Sequence, residues 1–180
     1  MSQKQAQLTS IADSLIDIQT LIFTFLLSAA IFLPSIIHQQ VITGPLVNAI
    51  LLIAVMILNP SSALMVGLIP SVVALSRGLL PLALAPMIPF IMLGNSIYIF
   101  TFSKLYKKSF VLAVIAAASF KFGLLHGVSQ WILPSLLPNK LLTKASLMMS
   151  WPQLVTALAG GFIAWLMVRV ILDQTEFKTK

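Results

Sequence analysis

Apolar residues fall in six long runs along the chain, separated by short polar or proline-bearing breaks. The first runs from Leu21 to Ile37, with Pro34 near its end and His38 after it. The second spans Pro45 to Leu58 and closes at Asn59-Pro60; the third runs from Ser62 to Leu75 and ends at Ser76-Arg77-Gly78. The fourth covers Leu82 to Phe102, the fifth Phe110 to Leu125 with a continuation toward Leu133, and the sixth Trp151 to Leu172. Nearly uncharged runs of this kind match the roughly 20 residues that a helix needs to cross the hydrocarbon core, although the second and third are short for spans. The expected fold is therefore an all-α integral membrane protein, a bundle of six transmembrane helices over residues 21–172. Upstream, Leu8, Ile11, Leu15 and Ile18 recur at helical spacing. Residues 1–20 thus read as an amphipathic segment at the membrane surface or leading into the first span. That segment holds Asp13 and Asp17 and no small-residue cleavage site, so it does not read as a signal peptide. Residues 173–180 read as a polar tail.

Composition sharpens this picture. Of 180 residues, 59% are hydrophobic and 8% charged, against roughly 25% charged in soluble domains. Mean hydropathy is +1.03. A soluble fold with so few charges would have no surface to show to water. Six spans leave no room for a soluble catalytic domain, so energy for any transport would come from a partner or a gradient. The absence of cysteine excludes disulfides, thiolate metal sites and cysteine nucleophiles. A net charge of +7 fits lysines facing anionic lipid headgroups, with no nucleic-acid partner implied.

The charges also orient the chain. With both termini in the cytoplasm, Lys4, Lys104, Lys107, Lys108, Arg169, Lys178 and Lys180 lie inside, and Arg77, Lys140 and Lys144 lie outside. That is the sense of the positive-inside rule, and an even number of spans agrees with it. Tyr98, Tyr106, Trp131, Trp151 and Trp165 read as interfacial anchors near span ends. Pro70, Pro81, Pro86 and Pro89 interrupt the third and fourth spans. Backbone freed by proline is tolerated in lipid only where protein or a watery cavity covers it, so residues 70–95 are a place to expect a binding cavity.

Lys121 is the most informative residue. It lies in Ala-Ala-Ala-Ser-Phe-Lys-Phe-Gly, roughly 16 Å into the fifth span and close to the bilayer midplane. A lysine there costs about 2.5–3.5 kcal/mol on insertion scales. All four acidic residues, Asp13, Asp17, Asp173 and Glu176, sit in the terminal segments, so no carboxylate is placed to pair with it. The ammonium then binds an anionic substrate, meets carbonyls and waters of a cavity, snorkels to an interface, or contacts a partner protein. Asn48, early in the second span, and Asn95, within Gly94-Asn95-Ser96 of the fourth, are further candidates. Buried amides need hydrogen-bond partners, which a ligand or a neighbouring helix can supply.

His38, His126 and Arg77 fall near the outer side in this topology, as substrate contacts, a gate or a phosphate holder. Gln130 and Trp131 lie one turn beyond His126, where they would help line an outer mouth, with Trp131 alternatively an interface anchor. Two histidines without an intramembrane carboxylate are no metal centre, and no cofactor is implied. Small residues form stripes at Thr156, Gly160 and Ala164, at Ala157 and Gly161, and at Ala113 and Ala117. Such stripes let helices approach closely, within the bundle or against another membrane protein. No Walker A loop, His-Glu-x-x-His or Gly-x-Ser-x-Gly is present, and Ser119 and Lys121 point differently on a helix. The chain reads as a non-enzyme.

Two stretches carry a family resemblance: Thr43-Gly44-Pro45-Leu46-Val47-Asn48-Ala49, and Gly78-Leu79-Leu80-Pro81 continuing through Ala85-Pro86-Met87-Ile88-Pro89-Phe90-Ile91-Met92-Leu93-Gly94-Asn95. With six spans and cytoplasmic termini, the chain resembles the S component of an energy-coupling factor (ECF) transporter, the membrane-embedded substrate-binding subunit of bacterial vitamin and micronutrient importers. The resemblance implies high-affinity capture of one small molecule from outside, with the outer loops closing over it. It implies partners as well: a coupling membrane protein and two cytoplasmic ATPases, in the bacterial plasma membrane. Small residues of the first helix, usually an Ala-x-x-x-Ala stripe, dock on the coupling protein. Here that span carries Thr24-x-x-x-Ser28 with Ala29 and Ala30 adjacent.

The expectation is a substrate-binding subunit for a small vitamin-like solute, anionic because Lys121 lacks an internal counter-charge. A self-sufficient carrier or channel would need no ATPases, but a proton-coupled one would usually show an intramembrane acid. A membrane enzyme acting on a phosphorylated lipid or isoprenoid would need a nucleophile or a metal-ligand cluster, and neither is visible. A scaffold protein without a ligand would be tightly packed and empty.

Overall fold

The computed structural model describes residues 3–37, 39–76 and 82–177, with side chains described for 16–37, 39–73 and 84–170. Among these residues every element is helical: α1 (Gln3–Ile36), α2 (Gln40–Ile57), α3 (Pro60–Ser76), α4 (Ile88–Leu105), α5 (Phe110–Trp131), α6 (Leu133–Leu136), α7 (Asn139–Met148) and α8 (Trp151–Phe177). A 3-10 segment, Leu82–Met87, leads into α4. Five helical stretches are long and apolar enough to cross a membrane, within α1, α2, α4, α5 and α8. The third of the six expected spans, α3, is apolar but only 17 residues long. The chain is thus an α-helical protein of the multi-pass membrane kind.

Several boundaries differ from expectation for local reasons. The N-terminal segment and the first span form one helix of 34 residues. The second helix begins at Gln40, not Pro45, and Pro45 lies inside it. Its early turns are covered by α8: a Cβ on Gly160 would meet the Pro45 carbonyl at 2.8 Å. Asn48 consequently sits two turns into α2. Pro86 falls in the 3-10 segment and Pro89 at the first turn of α4, where a missing N–H breaks no helical bond. Residues 133–150, expected as a connection, form α6 and α7. Alpha7 is amphipathic, with Ala145 buried and Lys140 and Lys144 exposed. Its apolar side closes a small second core with Leu84, Met87, Leu125 and Leu133.

Alpha2 is the central helix. Asn48 through Val55 are all buried, as expected of a helix surrounded by others. Small residues bring α8 onto it. A Cβ on Gly44 would meet Thr156 at 2.8 Å, and one on Gly160 would meet Asn48 at 2.6 Å. Both contacts advance in the same direction along the two chains, so α2 and α8 run parallel. Alpha8 also closes on α5, where Gly161 faces Val114. Alpha4 meets α5 where Gly94 faces Leu125. The small-residue stripes of α8 and the Ala113/Ala117 stripe of α5 are thus spent on packing inside the bundle, with Ala113, Ala117, Ala157 and Ala164 fully buried.

The parallel pairing gives the bundle two distinct ends. One gathers the α2–α3 and α4–α5 connections and the far end of α8, with Lys104, Lys107, Lys108 and Arg169 exposed around it. The other gathers the α1–α2 connection, the 3-10 segment and the α6–α7 cap. Tyr98, expected at a span end, is instead fully buried inside the bundle and donates from its hydroxyl to the Ala157 carbonyl at 2.8 Å. That bond gives the phenol the partner it needs away from water, so the ring has no reason to seek an interface.

Candidate functional site

Three polar residues from three helices meet in the interior. Lys121, midway along α5, is buried, 3% exposed. Its ammonium donates to Asn48 Oδ1 of α2 at 2.7 Å and to Asn95 Oδ1 of α4 at 2.9 Å. The Tyr98 ring lies beneath the same Nζ, 5.2 Å to its centroid, a cation–π contact. Asn95 is held by donating from Nδ2 to the Gly67 carbonyl of α3 at 3.0 Å. Gly67 and Asn95 approach closely because glycine leaves α3 without a side chain there. Asn95 and Tyr98 share a helix face at i and i+3, so α4 presents an acceptor and an aromatic ring to one ammonium.

Two of the three ammonium hydrogens of Lys121 thus have amide acceptors. Amide oxygens are dipoles, and no carboxylate contacts the ammonium among the described residues. In its protonated form the ammonium is therefore met only by dipoles and the Tyr98 ring, in a low-dielectric interior. Asn48 gives only its oxygen to this cluster: no described residue accepts from its Nδ2.

The cluster forms the floor of a cavity of about 230 Å³. Its wall is built from the halves of α1, α2, α3, α4 and α8 that face the α6–α7 end, including Ala30, Pro34, Thr43, Val47, Pro70, Ser71, Ile91 and Thr156. Pro70, Ile88, Ile91 and Asn95 fall in the stretch that the prolines single out. At the upper rim, Gln40 and Gln153 both donate to the Met148 carbonyl, at 3.2 and 3.0 Å, which ties the end of α7 across the cavity.

The structure thus brings Lys121, Asn48 and Asn95 together. His126 stands apart: it is exposed on the outside of α5 and stacks on Phe122 at 5.4 Å. Gln130 and Trp131 are exposed too, and neither lines the cavity. His38 and Arg77 lie outside the described residues. On α1, Thr24 is exposed and donates to the Thr20 carbonyl at 2.8 Å, while Ser28 and Ala29 are half-buried and Ala30 is buried in the cavity wall. The described residues hold no cluster of three metal-ligating side chains.

Sequence reasoning did not place Tyr98, Gln40, Thr43, Gln153 and Thr156 in this site. For Tyr98 a signal existed in its spacing from Asn95. The two glutamines lie near helix ends, where polar residues are ordinary. No protein-family model matches the chain, and comparison with curated proteins and with solved structures finds no match.

Proposed function

We propose that this chain is the substrate-binding membrane subunit of an ATP-driven importer of the energy-coupling factor type, and that its cavity captures a small solute bearing an anionic group. One observation carries the reading: a buried lysine Nζ at the floor of a cavity, met by two amide oxygens and the Tyr98 ring and by no carboxylate among the described residues. Burying an uncompensated charge is costly. An anionic group on the solute supplies the missing charge, and the Asn48 amide offers a second donor beside it. At about 230 Å³ the cavity is smaller than the roughly 300–1,000 Å³ of sites for drug-sized ligands, which favours a compact solute. The apolar wall suits a ring or short carbon skeleton. The α6–α7 end, where the cavity lies, faces outward in this reading, and the more basic end faces the cytoplasm. The chain binds and presents its solute. The resemblance in residues 43–49 and 78–95 supplies the coupling membrane protein and the two ATPases that would drive import.

Native mass spectrometry of the full chain, purified in detergent from cells grown in rich medium, tests this. A stoichiometric small acid on the wild type, absent from Lys121→Met, is the expected result. A solute retained equally by both would remove Lys121 from the site. Co-purification with a coupling protein and its ATPases tests the importer assignment separately; a chain that transports alone in vesicles would overturn it.

A further inference from the structure

A second concave surface lies on the opposite half of the bundle. Between the start of α5 and the middle of α8 runs an apolar groove of about 370 Å³. Phe110, Val111 and Ile115 form one wall, and Leu158, Phe162 and Trp165 the other. It has no connection in residues to the Lys121 cavity, and it lies away from α1, the helix that the family resemblance assigns to docking. Cations flank its lining residues in sequence at one end. Arg169, one turn beyond Trp165, holds its guanidinium over the Trp165 ring, 4.5 Å to the centroid. Lys107 and Lys108 are exposed in the turn just before Phe110, at the same end of the bundle. Ser109 caps α5 there by accepting from the Leu112 N–H, so the start of the helix adds its positive dipole end.

An apolar slot along the helices with cations at its end matches an amphiphile with an anionic head. We propose that this groove holds an acyl chain of an anionic phospholipid, with the lipid phosphate at Arg169, Lys107 and Lys108. Charge complementarity selects this occupant. A neutral lipid would use the slot and leave the cations unmatched, and a hydrophobic partner helix would bury them. Stacking on Trp165 fixes Arg169 at that end of the groove, where a free arginine would pay more entropy to bind. The inference needs only the membrane location of the chain and is independent of the solute cavity.

Trp165 is a built-in reporter. Trp131 and Trp151 are exposed and outside the groove, so replacing both with Phe leaves Trp165 as the sole tryptophan, excited selectively at the red edge. The full-length protein is placed in phosphatidylcholine vesicles containing a minor fraction of brominated phosphatidylglycerol or of brominated phosphatidylcholine. Brominated phosphatidylglycerol is expected to quench Trp165 at a several-fold lower fraction. Arg169→Gln, and separately the pair Lys107→Gln and Lys108→Gln, should each bring this preference down toward equal quenching by the two lipids. Equal quenching by both lipids in the wild type would overturn headgroup selection. Absence of quenching by either would show the groove covered by protein and overturn lipid occupancy. A full preference retained in all charge variants would overturn the assigned phosphate site.

Discussion

Lys121 sets the energetics of the interior. Its two amide acceptors lie at 2.7 and 2.9 Å, and a buried ammonium that loses one acceptor is left under-satisfied. Asn48→Ala is expected to destabilise the protein by about 1–3 kcal/mol. Asn95→Ala should cost more, because Asn95 also donates to the Gly67 carbonyl. Lys121→Met removes the charge at similar volume but leaves the two buried amide oxygens without a donor, so it should cost about 1–3 kcal/mol while abolishing solute binding. Once Lys121 is Met, Asn48→Ala should become milder. Thermal melts in detergent over this double-mutant cycle would measure a coupling of about 0.5–3 kcal/mol. Additive single effects would mean that the Lys121–Asn48 contact carries no stability.

Close helix approach is the next scale, and two glycines separate packing from propensity. A Cβ on Gly160 would lie 2.6 Å from the Asn48 Cβ and 2.8–2.9 Å from backbone atoms of Pro45 and Ala49. Backbone cannot swing aside, so Gly160→Ala should push α8 off α2, cost about 1–3 kcal/mol, and weaken solute binding by moving Asn48. Gly123 has nothing within 4 Å of such a Cβ. Gly123→Ala should be neutral or stabilising by up to about 1 kcal/mol, through helix propensity alone. Melting temperatures of the two variants check the contrast. The α6–α7 cap belongs to this scale as well. Gln40 and Gln153 anchor it through the Met148 carbonyl. Gln40→Leu should therefore loosen the rim and speed solute release, read as a faster off-rate with the melt little changed.

Across the whole molecule, the two ends make a prediction about sidedness. The chain has no cysteine, so single cysteines report without background. Lys140→Cys on α7 should react with an impermeant maleimide on intact cells. Lys107→Cys at the α4–α5 turn should react only after permeabilisation. The reverse pattern would invert the orientation and place the cavity on the cytoplasmic side, against capture from outside. Both positions are exposed, so neither substitution disturbs packing.

Much of this was legible in the chain because lipid is an unforgiving solvent. A hydrocarbon environment penalises every unpaired polar group, so long apolar runs had to be helices, and Lys121, Asn48 and Asn95 stood out against them. Of the prolines between residues 70 and 95, Pro70 lines the cavity, Pro86 and Pro89 do not, and Pro81 lies outside the described residues. Tertiary structure decided what those residues do to one another. The parallel seating of α8 on α2, permitted by Gly44 and Gly160, set where Asn48 stands; its meeting with Lys121 depends on several helices approaching at once. Tyr98 shows the limit: an aromatic near a span end looks like an interfacial anchor until a distant carbonyl, that of Ala157, gives its hydroxyl a buried partner. The polar face of α7 hid the cap, since it earns its place by packing one alanine and a few leucines against a surface that exists only once the bundle has formed. Local sequence determines which segments enter lipid and which residues cannot stay there unpaired; the pairing itself is a property of the assembled helices, because hydrogen bonds and cavities depend on distances between parts of the chain far apart in sequence.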